Sequence, residues 1–153
     1  MNICQILTPE TTLICDKITS KKKVLEKISG LVADTTEISG KCIFESLVCR
    51  EKLGTTALGN GVAIPHGRIA DCQQPIAVFL LLETPIDYDA PDKQPVDIIF
   101  AILVPDQAHE DHLRHLAMIA EILSQQKLLT KLRHAHSGEA LYEILADAAG
   151  QLP

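Results

Sequence analysis

The sequence predicts an α/β fold: a mixed central β-sheet flanked by α-helices on both faces, in a single domain over residues 1–153. Three observations predict it. Two apolar runs, 76–82 and 96–104, lack the alternation of a strand with one wet face, so both are read as strands buried on two sides. Segments with helical spacing stand before and after these runs. A chain of 153 residues, 46% apolar, is also long enough to bury one core and short for two domains.

Ser20 is the expected N-cap of a first helix, whose Val24, Leu25, Ile28, Leu31 and Val32 recur at helical spacing. Lys21, Lys22 and Lys23 at its start are read as a solvated run. Ser39 opens a second helix, with Ile43, Phe44, Leu47 and Val48 on one face and a stop expected near Gly54. Next comes GTTALGNGVAIPHGR, residues 54–68, which holds four of the eight glycines. That density predicts turns, or backbone passing close to something. The two buried strands follow, each bounded by proline and separated by a polar loop over 87–95. After Pro105 the period turns helical. Leu113, Leu116, Ala117, Ala120 and Leu123 are read as one stripe, and Leu128, Leu129 and Leu132 as a short second helix. Gly138 precedes a last helix with Leu141, Ile144, Leu145 and Ala148 facing the core.

Composition excludes several classes. A net charge of −6 and 3% aromatics disfavour nucleic-acid binding, which needs cations for phosphates and rings for bases. The cysteines at 4, 15, 42, 49 and 72 are odd in number and widely spaced, unlike a disulfide framework. Cys42 and Cys49 share one helix about 10 Å apart, too far to bridge, and Cys49 is read as packing. No CxxC pair suggests a zinc ribbon. No basic-then-apolar start suggests a signal peptide, and the apolar runs are strand-sized, so a reduced, cytoplasmic protein that is not membrane-embedded is expected.

His66 lies between Pro65, which fixes the preceding backbone, and Gly67, which adds no side chain. The imidazole is thus positioned and uncrowded, as an attacking nucleophile requires, and it is neutral near pH 7. On spacing alone, an ordinary loop histidine fits as well. Arg50 stands in the last turn of the second helix. Its guanidinium suits two phosphoryl oxygens, but the helix dipole alone also favours an arginine there. His109, His112 and His115 recur every third residue and drift around a helix by about 60° per step. His112 falls beside the apolar stripe as a partner for His66 or a buried histidine, and His115 is expected further out. HEDH is not HExxH, so no metal site is expected. His134 and His136 read as an exposed helix end. Thr55, Thr56 and nearby glycine amides, Gly67 among them, are candidates to cradle an anion. No GxxxxGK[ST] or GxSxG occurs, which argues against a nucleotide-dependent kinase and a serine hydrolase.

Together, LVCRE (47–51), GTTALGNGVAIPHGR (54–68), LVP (103–105), HLRHLA (112–117) and the terminal helix over 139–148 resemble a known family. It is the IIA component of the phosphoenolpyruvate-dependent sugar phosphotransferase system, in its fructose/mannitol/nitrogen-regulatory class. The resemblance covers nearly the whole chain. It implies a mixed sheet flanked by helices, with His66 as the phosphorylated histidine, Arg50 as the active-site arginine and His112 as the second active-site histidine. It implies a histidine-containing phosphocarrier as donor, itself charged by enzyme I, and no cofactor, whether metal or nucleotide. Transfer is expected in line, onto Nε2 of His66, with charge on the equatorial oxygens balanced by Arg50 and backbone amides. The chain carries no IIB-like cysteine domain and no membrane-embedded transporter. GNGVAIPHGR looks closer to the nitrogen-regulatory branch, in which phosphorylation state controls binding to regulatory target proteins. A free-standing sugar IIA passing phosphoryl to a separate IIB is the alternative, and a transfer-inactive binding module is the alternative of another class.

Overall fold

The computed structural model describes residues 3–107 and 109–150, apart from the side chains of 109–111. In order, the elements are α1 (Ile3–Ile6), β1 (Leu7–Cys15), α2 (Lys21–Thr35), α3 (Gly40–Lys52), β2 (Ala57–Gly59), β3 (Val62–Ala63), β4 (His66–Ile69), β5 (Ile76–Ile86), β6 (Val96–Pro105), α4 (His109–Ile122), α5 (Gln126–Arg133) and α6 (Gly138–Gly150). The strands form one mixed sheet in the order β1-β5-β6-β3-β2, with β4 also pairing β6. β5 and β6 run antiparallel, and β1 is parallel to β5. β3 and β4 are parallel to β6, along which they follow one another.

The two apolar runs are the sheet's centre, as expected, and they are buried on both sides. Val78, Leu80 and Leu82 of β5 belong to the core under α2 and α3, with Val24, Ile28, Ile43 and Leu47. Ala77, Phe79 and Leu81 belong to the opposite core, with Ile119, Leu129, Leu132, Leu141 and Leu145 of α4, α5 and α6. Phe79 and Phe100, paired across β5 and β6, meet edge-on at 6.2 Å in that second core. Each ring contributes about 1.5–3 kcal/mol by leaving water.

Helix starts follow the sequence closely. Ser20 caps α2 by accepting the Lys23 amide, whereas Ser39 precedes α3 without a side-chain cap. Three elements differ from expectation. β5 continues beyond residue 82 to Ile86; Pro85 is tolerated because residues 83–85 are exposed where the pairing register shifts between Leu81 and Ile86. β1 is not anticipated from the sequence, because a register shift between Leu7 and Thr12 leaves it no clean alternation. Most importantly, the inward stripe of α4 is His112, His115, Ile119 and Ile122. Leu113 is 67% exposed, and His115, expected further out, is buried. His112 is buried at the core edge as expected, and of the expected stripe Leu123 is buried with Leu116 and Ala120 packed on the same core, so the departures are Leu113, Ala117 and His115.

The glycine-rich segment supplies three short strands. Asn60 and Gly61, both at positive φ, make the two-residue turn between β2 and β3. Arg133 holds this turn by donating to the Asn60 carbonyl at 2.7 Å while gripping Asp97. Gly61 stands at φ +80, where a side chain is strained, and a Cβ there would also crowd Arg133 and Asp97. Among the described residues, no helix is long and apolar enough to cross a membrane.

Candidate functional site

A break in a strand builds the site. β3 and β4 would be one strand along β6 but for Ile64 and Pro65. The Ile102 amide still donates to the Pro65 carbonyl at 3.0 Å, so the backbone stays on the sheet. Within the break, Nδ1 of His66 lies 2.8 Å from the Ile64 carbonyl. A carbonyl only accepts, so Nδ1 carries the proton and Nε2 the lone pair. The Arg50 Nε–H donates to that Nε2 at 3.1 Å, and Arg50 Nη1 donates to the Gly54 carbonyl at 2.9 Å. The tautomer of His66 is thereby fixed from both ends.

His66 is half-buried, and burial is the main cause that lowers its pKa from the ordinary 6.5; the Arg50 charge lowers it further, while the bond to Ile64 and the charge of Glu51 pull it up. The net direction favours the neutral, nucleophilic ring at pH 7. His112 of α4 approaches from the other layer, its ring centroid 5.3 Å from that of His66 at 51°. His66, Arg50 and His112 are therefore brought together, from β4, α3 and α4.

Gly67 serves packing. A Cβ would meet the Ser46 Oγ of α3 at 2.4 Å, and Ser46 donates to the Arg68 carbonyl at 3.0 Å. Glycine thus lets α3, with Arg50, lie against β4, with His66. Thr56 is buried, and its hydroxyl donates to the Glu51 carboxylate. Thr55 donates to the Tyr88 carbonyl at 2.8 Å. Both hydroxyls are engaged in holding the turn after α3.

Residues 5–148 match the family described as phosphoenolpyruvate-dependent sugar phosphotransferase system, EIIA 2. The chain belongs to that family. It is 49% identical to the nitrogen regulatory protein of Pseudomonas aeruginosa over 144 residues, 94% of either chain. The crystal structure of nitrogen regulatory protein IIA-Ntr from Neisseria meningitidis has the same fold, with a TM-score of 0.87 and 39% identity over 94% of this chain and 98% of that one. Mannitol IIA from Escherichia coli, at 19% identity and a TM-score of 0.75 over 91% of this chain and 98% of that one, shares the fold.

Sequence reasoning missed two side chains of this IIA site. Tyr88, fully buried, donates its hydroxyl to Glu51 at 3.0 Å, and burial pushes its pKa up. Lys21, read as part of a solvated run, pairs with Glu51 at 2.9 Å and lies 4.6 Å from the Tyr88 ring centre. No local pattern marks either, because both reach Glu51 only through the fold. Cys49, read as packing, is exposed on α3. His134 and His136 are exposed, as read, and His109 opens α4 with its side chain outside the described residues. Among the described residues, no three His, Cys, Asp or Glu side chains are grouped to hold a metal ion.

Proposed function

We propose that this IIA protein accepts a phosphoryl group on Nε2 of His66 from a histidine-containing phosphocarrier, in the cytoplasm, and acts as a regulatory phospho-switch. The observation that carries the reading is the fixed tautomer: Nδ1 is committed to the Ile64 carbonyl, and the Nε2 lone pair faces a guanidinium. The nitrogen-regulatory names of the relatives support the regulatory role over sugar transfer through a separate IIB. Five free cysteines, two of them buried, suit a reducing compartment.

In the transfer, the Nε2 lone pair attacks phosphorus in line. The donor's phosphorus–nitrogen bond breaks, and its electron pair stays on the donor ring. Arg50 already occupies the Nε2 lone pair, so it must move from nitrogen to phosphoryl oxygen as the bond forms, pivoting on its hold at Gly54. Nδ1 keeps its proton, and the Ile64 carbonyl stabilises the positive ring left beside the phosphoryl group. His112, a ring's width away, donates to a phosphoryl oxygen. Leu53 and Leu113, 83% and 67% exposed beside these residues in sequence, offer apolar surface for a carrier protein.

Intact mass after incubation with phosphoenolpyruvate, enzyme I and the phosphocarrier tests the reading. One added acid-labile phosphoryl group, absent from His66→Ala, is expected. No gain with either sugar-branch or nitrogen-branch donors would leave a binding module without transfer.

A further inference from the structure

The resemblance and the family match leave Glu51 without a role, yet its side chain is only 7% exposed and collects four donors. Oε2 accepts the Thr56 amide at 3.2 Å and Lys21 Nζ at 2.9 Å. Oε1 accepts the hydroxyls of Thr56 and Tyr88. Buried carboxylates persist when they are paired and hydrogen-bonded in this way. Two of these donors come from distant segments, Lys21 opening α2 and Tyr88 following β5, while the Thr56 hydroxyl comes from just before β2. The fourth, the Thr56 amide, closes the turn that begins at Leu53.

That turn presents the Gly54 carbonyl to Arg50 Nη1, and Arg50 Nε is thereby set against Nε2 of His66. Resting on the phosphoryl-transfer reading, we infer that Glu51 is a positioning residue for that transfer: by tying Thr56, Tyr88 and Lys21 to the end of α3, it holds the turn that aims Arg50 at His66. Glu51 directs its hydrogen bonds and ion pair to Thr56, Tyr88 and Lys21 rather than to the His66 ring. It acts through Arg50, whose guanidinium must pivot between nitrogen and oxygen without leaving the site. A second consequence follows from charge. The carboxylate opposes the Arg50 cation at His66 and keeps the ring more basic, which favours attack.

Glutamine is the discriminating replacement, because it keeps shape and one carbonyl acceptor but removes the charge. An amide has one acceptor oxygen for four donors, so one half of the cluster must let go. The test compares the parent, Glu51→Gln and Tyr88→Phe by mass-resolved labelling rates at varied phosphocarrier, with His66 titrated by NMR. For Glu51→Gln, kcat is expected to fall about 10- to 100-fold, the cost of a misplaced group. KM for the phosphocarrier is expected to stay within about twofold, and the His66 titration to move to lower pH. Should Glu51→Gln fail to fold, Tyr88→Phe decides, with a fall of about threefold or more expected from one lost hydrogen bond. A parent that labels while kcat is unchanged in the folded variants overturns the inference, as does a loss confined to KM. A parent that does not label strikes the relay reading instead, and the inference falls with it.

Discussion

At the scale of the residue, His66 is acted on in opposing senses. Burial and Arg50 disfavour its cation, while the Ile64 carbonyl and Glu51 favour it, and the net pKa lies below 6.5. In the unfolded chain the ring titrates near 6.5. Between the two values the unfolded state binds more protons. The stability contributed by His66 is therefore present above 6.5 and lost as pH falls through the folded value. The same shift keeps His66 neutral at pH 7: with titration of the donor accounted for, the fall in labelling on acidification is expected to have its midpoint below 6.5. A midpoint above 6.5, in a rate corrected for the donor, would contradict the direction. Arg50→Ala is expected to slow labelling by about 10²–10³-fold if it acts as a lost oxyanion donor. Its measure is the initial rate, with folding checked by circular dichroism.

At the scale of the element, the site depends on how closely α3 lies on β4. Gly67→Ala places a methyl against Ser46 and must push the two apart, or force Ser46 to another rotamer. It is expected to cost about 1–3 kcal/mol, read from a urea midpoint, with slower labelling. Ser46→Ala in the same chain should restore part of the loss by vacating the space. The sequence already carried α2, α3, β5 and β6, because caps and apolar runs are local signals. It did not carry the inward face of α4. The spacing puts His112 at the core edge, but His115 is polar by any scale, and only its position against the sheet shows that it, rather than Leu113, faces inward. Nor did it show that residues 62–69 form an interrupted strand. The interruption was visible as Pro65, but its purpose appears only when the Ile64 carbonyl meets His66.

At the scale of the whole molecule, the site joins two layers. Arg50 stands on α3, which packs on one face of the sheet, and His112 on α4, which packs on the other. Each core therefore seats one part of the site. Phe100→Ala, in the core beneath α4 to α6, is expected to cost about 3–5 kcal/mol in equilibrium unfolding. Its labelling should be near parental while the protein stays folded, since Phe100 packs edge-on against Phe79 in that core. The family pattern in 47–68 and 112–117 pointed to His66, Arg50 and His112, which the fold brings together. Lys21 and Tyr88 come from distant segments and converge on Glu51 only when folded. In the proposed relay, phosphorylation of His66 would add roughly −1.5 to −2 charge at this junction of layers, on a chain that already carries −6. The most direct test of the account is the position of the phosphorus, read by ³¹P–¹⁵N NMR of the phosphorylated protein. The account predicts phosphorus on Nε2 of His66, with Nδ1 still protonated and bonded to Ile64. Phosphorus on Nδ1, or on His112, would contradict it.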